Sequence, residues 1–131
     1  MQSEDIDARI RSLCLKLPHS SESFPPRGHA FSVGGKTFAV IEDYNGHHSL
    51  AVKGAIPGAE LFPDEDRFFV TPLVGRRGWI SLILDRGELD WREIAALLEL
   101  SYRQVASRRA LKALEAWVES RPPLHGEAQP I

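Results

Sequence analysis

Two short glycine-containing turns, each placed between apolar runs, limit the topology more than any other feature of this sequence. Gly34-Gly35 separates the apolar residues 31–33 from 37–41, and Asn45-Gly46 repeats the arrangement before residues 49–53. A two-residue hairpin turn needs positive φ at both central positions, which glycine and asparagine adopt most readily. The pattern therefore predicts antiparallel neighbouring strands and argues against βαβ crossovers.

Helical and extended patterns surround these two hairpins. Residues 4–17 place apolar side chains at helical spacing, and Pro18 stops the predicted helix. The polar, proline-containing residues 18–28 are predicted to form a loop. Residues 67–71 and 79–84 are predicted as a fourth and a fifth strand.

A long helical pattern follows the strands. Asp90 is the predicted N-cap, and Glu93 stands where its side chain would reach back in a capping box. The helix either continues through Ser107 or breaks there, and it ends before the prolines at 122 and 123. This order predicts an α+β domain, an antiparallel meander sheet of about five strands with the N-terminal and C-terminal helices packed on one face.

Length and composition favour one folded domain. The chain has 131 residues, of which 43% are apolar and 26% charged, so neither a mostly disordered chain nor a fibrous repeat fits. That size is typical of a single hydrophobic core. We expect the domain to span residues 1–120 and the polar, proline-containing residues 121–131 to form a flexible tail.

The single cysteine indicates the compartment. Cys14 has no partner for an intramolecular disulfide, and its place in an apolar stripe favours a buried structural thiol. The acidic N-terminus lacks the apolar run of a signal peptide. Apolar runs elsewhere fall well short of the roughly 20 residues that span a bilayer. These observations predict a cytoplasmic protein that does not enter a membrane.

The sequence shows no catalytic or metal-binding constellation. His47 and His48 are adjacent at a strand start, so their side chains are expected to point to opposite faces, as solvated loop histidines. The Gly34-Gly35-Lys36-Thr37 segment lacks the first glycine of a phosphate loop and forms a hairpin instead. We therefore expect no enzymatic activity, no cofactor and no metal.

Charge is divided into blocks, although the formal net charge is only −2. Residues 60–66 hold four acids and are interpreted as a solvated loop in preference to a divalent-cation site. Residues 101–112 hold four cations and no acid, namely Arg103, Arg108, Arg109 and Lys112. Guanidinium groups match phosphate geometry, yet a solvated helix face is the simpler interpretation from these residues alone.

A second basic element lies at a glycine-bounded turn. Arg76 and Arg77 stand between Gly75 and Gly78, and Trp79 follows closely enough to stack on a base. Its simpler interpretation is a core tryptophan. Trp79 and Tyr102 are both expected in the core, each with a polar tip that needs a partner when buried.

Five segments together resemble the MmcQ/YjbR-like family, in an order and spacing that are more specific than any one of them. They are residues 33–39 (VGGKTFA), 50–53 (LAVK), 75–82 (GRRGWISL), Asp90-Trp91 and 101–106 (SYRQVA), with residues 17–25 also fitting the family's opening. The resemblance covers about residues 10–112 and implies a double-wing, or frataxin-like (CyaY-like), α+β fold. It also implies DNA binding, a property inferred for the family largely from the shape of its fold.

This chain departs from the family pattern after Ala106, where Ser107-Arg108 replaces the usual proline and basic residue. Iron binding, which a frataxin-like fold would suggest, needs an acidic first helix. Here Glu4, Asp5 and Asp7 are mixed with arginines, so iron is not expected.

Three hypotheses follow for function. The first is a non-enzymatic module that binds DNA weakly and without sequence preference, through Arg76, Arg77, Arg103, Arg108, Arg109 and Lys112, with Lys36 and Lys53 added if the sheet presents them on that side. The second is a protein-interaction module or homodimer, in which the acidic residues 60–66 of one chain meet the basic helix of another. The third is a small-ligand protein or enzyme with a pocket around Trp79, Tyr102 and the arginines.

Overall fold

The computed structural model describes residues 3–24, 28–44, 46–54, 67–71 and 78–120, with Ser3 and Val70 described by their backbone alone. The elements follow in the order α1 (Ser3–Leu15), β1 (Ser20–Ser23), β2 (His29–Val33), β3 (Lys36–Tyr44), β4 (His47–Lys53), β5 (Phe68–Val70), β6 (Trp79–Ile83), α2 (Trp91–Val105) and α3 (Arg108–Ser120). The six strands form one antiparallel sheet in the order β1-β2-β3-β4-β6-β5. The predicted α+β class is confirmed.

The sheet has six strands where about five were predicted, because part of the expected loop 18–28 is extended. Ser20–Ser23 pairs with β2 as an edge strand. Serine has little intrinsic preference for strands, so the neighbouring β2 must select this conformation. An ion pair between Arg11 and Glu22, 2.7 Å long, ties the new strand to α1.

The sheet is a meander only through its first four strands. The chain between Lys53 and Phe68 is much longer than a hairpin loop, and β5 lies at the far edge of the sheet. β6 then returns between β4 and β5. Central β4 and β6 are buried on both faces over most of their length.

Both predicted hairpins form. Gly34 and Gly35 have φ of 60° and 79°, the two positive values that a type I′ turn requires. The second turn pairs Tyr44 with His47 and Asp43 with His48. This register places the last two side chains on the same face of the sheet.

The core lies between one face of the sheet and the three helices. Its largest fully buried side chains are Tyr102, Phe31, Phe38, Ile10, Ile41, Leu50, Leu82, Leu84, Ile94, Leu98, Leu114 and Val52. Cys14 is completely buried there, and burial raises the pKa of its thiol. The expectation of a buried structural thiol is confirmed.

The helix ends differ in detail from the prediction. α1 ends at Leu15, before Pro18 is reached. Asp90 caps α2 by accepting from the amides of Arg92 and Glu93, at 3.1 and 3.2 Å. The Glu93 carboxylate does not complete a capping box, because it instead pairs with the guanidinium of Arg67, next to β5.

Of the two alternatives for the last helical pattern, the structure has the break, which lies after Val105. Ala106 has extended φ and ψ of −72° and 147°, and α3 begins two residues later. Ser107 starts the new helix, since its Oγ accepts from the Ala110 amide at 3.1 Å. Within the described ranges, no helix is long and apolar enough to cross a membrane.

Candidate functional site

Two polar side chains near the end of α2 fasten this helix to backbone atoms of the sheet. Ser101 Oγ donates to the Phe38 carbonyl at 2.6 Å and accepts from the Lys53 amide at 2.9 Å. Gln104 Nε2 donates to the Lys53 carbonyl at 3.0 Å. The β3–β4 ladder ends one residue short of Phe38 and Lys53, so Ser101 supplies the bonds that the ladder leaves unmade.

Tyr102 is buried beside these anchors, as expected for a core residue. Its hydroxyl donates to the Pro18 carbonyl at 2.6 Å, and its ring meets Phe38 edge to face with centroids 5.5 Å apart. Burial raises the pKa of Tyr102. The Ser-Tyr-x-Gln part of the 101–106 segment therefore has a structural explanation in helix docking.

Trp79 does not share a pocket with Tyr102. Ile80 belongs to the core on the helix side of the sheet. Alternation along β6 therefore places the half-buried Trp79 on the opposite face, beside its cross-strand partner Lys53. The proposed pocket around Trp79 and Tyr102 is not supported, because the sheet separates the two rings.

Four cations predicted as a binding face surround the α2–α3 junction. We call Arg103, Arg108, Arg109 and Lys112 the basic corner, and each is exposed. Arg103 pairs with Glu99 on its own helix, with Nη2 3.0 Å from Oε2. In the described part of the chain, Arg108, Arg109 and Lys112 form no ion pair.

The electrostatics of α3 make this placement unusual. Arg108 and Arg109 occupy its first turn, at the positive end of the helix dipole, where acids are normally preferred. Glu115 and Glu119 lie further along the same helix. Positive potential is therefore concentrated at the start of α3.

The other predicted basic residues do not join this corner as a group. Lys36 is exposed at the tip of the β2–β3 hairpin. Lys53 has its backbone next to α2, but its side chain lies on the Trp79 face. Arg76 and Arg77 fall outside the described residues, as does the acidic segment 60–66 on which the homodimer hypothesis depends.

The described structure holds one histidine side chain, His48, between two carboxylates. His48 Nε2 lies 2.6 Å from Asp7 Oδ1, and His48 Nδ1 lies 2.6 Å from Asp43 Oδ1. The side chain of His48 is 19% exposed. These three residues, the His48 cluster, join α1 to the β3–β4 hairpin.

The carboxylates favour the protonated form of this histidine. Burial alone would lower the pKa of His48, but the hydrogen bonds and charges of Asp43 and Asp7 raise it above the ordinary value. With both ring nitrogens engaged, His48 has no free atom to act as a general base or a metal ligand. The expectation of a solvated loop histidine is wrong for this residue.

His47 points to the other face and meets a different acid. Its Nδ1 lies 3.3 Å from Asp85 Oδ1, while the His48 amide donates to Asp85 Oδ2 at 2.9 Å. The hydrogen bond from the His48 amide, together with the nearby His47, holds the pKa of Asp85 below its usual range. The opposite orientations expected for His47 and His48 are confirmed.

Two cavities border His48. The larger one, of about 500 Å³, is lined by Ile6, His48, Leu84, Asp85, Gly87, Glu88, Leu89 and Trp91. The smaller one, of about 340 Å³, is lined by Asp7, Gly28, His29, Ile41, Glu42, Asp43 and His48. Among the described residues, no group of three or more histidine, cysteine or acidic side chains is arranged to hold a metal ion.

Sequence reasoning missed the His48 cluster, although half of it was accessible. The Asn45-Gly46 turn fixes the register in which Asp43 faces His48, so that pair follows from the hairpin. Asp7 comes from α1, 41 residues away along the chain, and no local signal predicts its contact with His48.

Comparison with known proteins assigns the family. The crystal structure of Deinococcus radiodurans protein DR2400, described with the family-model domain DUF419, matches with a TM-score of 0.61 and 22% sequence identity over 95% of both chains. At this identity the match establishes the fold alone. None of the curated proteins matches this chain. The YjbR family model matches residues 15–104, which is most of the chain, and the protein therefore belongs to the YjbR family.

Proposed function

We propose that this YjbR-family domain is a non-enzymatic binding module whose basic corner contacts the phosphates of nucleic acid. The corner consists of Arg103, Arg108, Arg109 and Lys112, and its binding is weak and independent of sequence. A reducing, cytoplasmic compartment fits the single buried cysteine.

The observation that carries this proposal is the pair of arginines in the first turn of α3. Placing cations at the positive end of a helix dipole opposes helix stability by some tenths of a kcal/mol to about 1 kcal/mol for each charge. Neither Arg108 nor Arg109 forms an ion pair with an acid in the described structure that would offset this cost. A phosphate would do so, because guanidinium groups bind its oxygens in a bidentate manner.

The geometry supports phosphate contact in preference to base recognition. The four cations lie on exposed helix surface around the Ala106-Ser107 junction. From there they can contact successive phosphates of a nucleic-acid backbone. Contacts of this kind position a protein on nucleic acid but do not distinguish bases.

Salt dependence provides the sharpest test. Fluorescence anisotropy with a labelled mixed-sequence duplex, titrated at several salt concentrations, gives the slope of log affinity against log salt. Each phosphate contact contributes about −0.9 to that slope, so Arg108→Gln combined with Arg109→Gln reduces its magnitude by about 2.

A charge-matched control separates the corner from net charge. Arg9→Gln combined with Lys16→Gln removes two exposed cations, one in α1 and one directly after it, and leaves the slope unchanged if the corner is the contact surface. The proposal is wrong if the wild-type protein does not bind at low ionic strength. It is equally wrong if both double variants lose the same affinity.

A further inference from the structure

The larger cavity beside His48 has the volume of a small-ligand site. Its volume of about 500 Å³ lies within the range of roughly 300 to 1,000 Å³ that is typical of ligand pockets. We call it the Trp91 cavity. It lies between α1, the start of β4, the connection from β6 to α2 and the first residue of α2.

About half of the surface of the Trp91 cavity is apolar. Ile6 and Leu84 are buried, and Leu89 and Trp91 are half-buried against the core. An apolar surface of this kind stabilises the hydrocarbon part of a ligand by removing it from water.

The charge of the lining is negative. Asp85 and Glu88 contribute two carboxylates, and Glu88 is exposed with no ion pair in the described ranges. The imidazole of the lining, His48, is already held by Asp7 and Asp43 at both ring nitrogens. These two carboxylates attract a positively charged ligand and repel an anion.

Trp91 already accommodates a cation. The Arg9 guanidinium carbon lies 4.4 Å from the centre of the Trp91 ring, within the distance of a cation–π contact. Arg9 is exposed and does not line the cavity. A second cation would compete with Arg9 for the Trp91 ring.

From this combination we propose that the Trp91 cavity binds a small organic cation with an apolar body, such as an arylalkylamine. The hydrocarbon part packs on Ile6, Leu84 and Leu89, and the positive group lies between Trp91 and the carboxylate of Glu88. This site uses different residues from the basic corner and stands independently of nucleic-acid binding.

Tryptamine is a suitable probe, because indole-3-acetate has the same ring and the opposite charge. The sequence contains three tryptophans, Trp79, Trp91 and Trp117, so the three indole N–H signals of an NMR spectrum report on separate places. Tryptamine is expected to shift the Trp91 signal in a saturable manner and to leave the other two in place. Indole-3-acetate is expected to shift none of them.

Two substitutions with opposite expected effects distinguish binding from loss of fold. Glu88→Gln weakens tryptamine binding by about two- to fivefold, as expected for a partly exposed ion pair. Arg9→Ala strengthens binding by about two- to fivefold, because it removes a like charge and a competitor for the Trp91 ring. Glu115→Gln, an exposed acid on α3, is the control and leaves binding unchanged.

The site also separates from the proposed nucleic-acid contact. Arg108→Gln combined with Arg109→Gln leaves tryptamine binding intact, so either proposal can fail without the other. Equal shifts by tryptamine and indole-3-acetate would overturn the cation site. So would the absence of a Trp91 shift, or a Glu88→Gln variant that binds as tightly as the Glu115→Gln control.

Discussion

The Ser101 hydroxyl donates a hydrogen bond to the Phe38 carbonyl at 2.6 Å, joining α2 to the start of β3. The same oxygen accepts from the Lys53 amide, so one buried side chain satisfies two backbone groups on neighbouring strands. Neither group has a partner in the β3–β4 ladder, so this contact and the neighbouring Gln104 hydrogen bond fix the helix relative to the sheet.

Ser101→Ala leaves the Phe38 carbonyl and the Lys53 amide without their side-chain partner. Buried unsatisfied polar groups cost about 1 to 3 kcal/mol, so the free energy of unfolding falls by about that amount. Urea denaturation measures the change. Ser12→Ala, on the exposed side of α1, is the matched control and changes stability by no more than about 0.5 kcal/mol. Equal stability of the two variants would contradict the assigned role of Ser101.

The His48 cluster gives the fold a pH-dependent contribution to stability. The folded-state pKa of His48 is raised above the unfolded value of about 6.5. Protonated His48 therefore stabilises the fold fully below about pH 6.5, and this contribution is lost as the pH rises through the folded-state pKa. Denaturation measured at increasing pH, starting below pH 6.5, is expected to show a decreasing free energy of unfolding.

Asp7→Asn tests the cause of this dependence. Replacing the carboxylate with a neutral amide lowers the folded-state pKa of His48, which an NMR titration of its ring measures directly. The slope of stability against pH becomes correspondingly shallower. Asp5→Asn, an exposed neighbour on α1 with no contact to the cluster, is expected to keep the wild-type slope. A wild-type His48 titration in the Asp7→Asn variant would show that Asp7 does not hold the ring.

Two glycines with similar φ differ sharply in the space around them. Gly28, at φ +78°, would place a Cβ 1.8 Å from the Ile41 carbonyl oxygen, while Gly35, at φ +79°, has nothing within 4 Å. Gly35→Ala therefore costs only the backbone strain, about 1 to 2 kcal/mol. Gly28→Ala adds a backbone collision and is expected to cost about 3 to 5 kcal/mol. Thermal denaturation of both variants checks the difference, which should vanish if Gly28 is free of close contact.

Tyr102→Phe removes the hydroxyl that bonds to the Pro18 carbonyl. The expected loss is about 0.5 to 1.5 kcal/mol in the free energy of unfolding. Tyr44→Phe is the control, since Tyr44 stacks on Phe69 through its ring, with centroids 5.8 Å apart, and retains that contact.

In a spectrophotometric titration, Tyr102 should ionise above the usual tyrosine range because it is buried. Its ionisation within that range would argue against the buried position.

The predictable parts of the fold are those that local chemistry specifies. Gly34-Gly35 sets its own turn through positive φ, and the flanking apolar runs follow as strands. β1 was missed because Ser20–Ser23 has no strand signal of its own and becomes extended only by pairing with β2. The position of β6 between β4 and β5 likewise depends on packing that no local pattern encodes.

The candidate sites divide in the same way. The basic corner could be predicted because Arg103, Arg108, Arg109 and Lys112 lie close together in sequence, on the two sides of the break at Ala106. The cavity beside Trp91 draws residues from α1, β4, the β6–α2 connection and α2, so its assembly depends on the complete tertiary structure. For the same reason Glu93 was assigned to a cap, although the distant Arg67 holds it.

The anchors of α2 have a consequence for how this sequence can change. Ser101, Tyr102 and Gln104 bond to the main-chain atoms of Phe38, Pro18 and Lys53, not to their side chains. Main-chain carbonyls persist through any substitution, so side-chain changes at Pro18 and Lys53 leave these acceptors in place, whereas Phe38 is also constrained by its buried ring. Hydrogen bonds to main-chain atoms allow side chains of the sheet to change while the helix keeps its position, which is consistent with a shared fold at 22% identity.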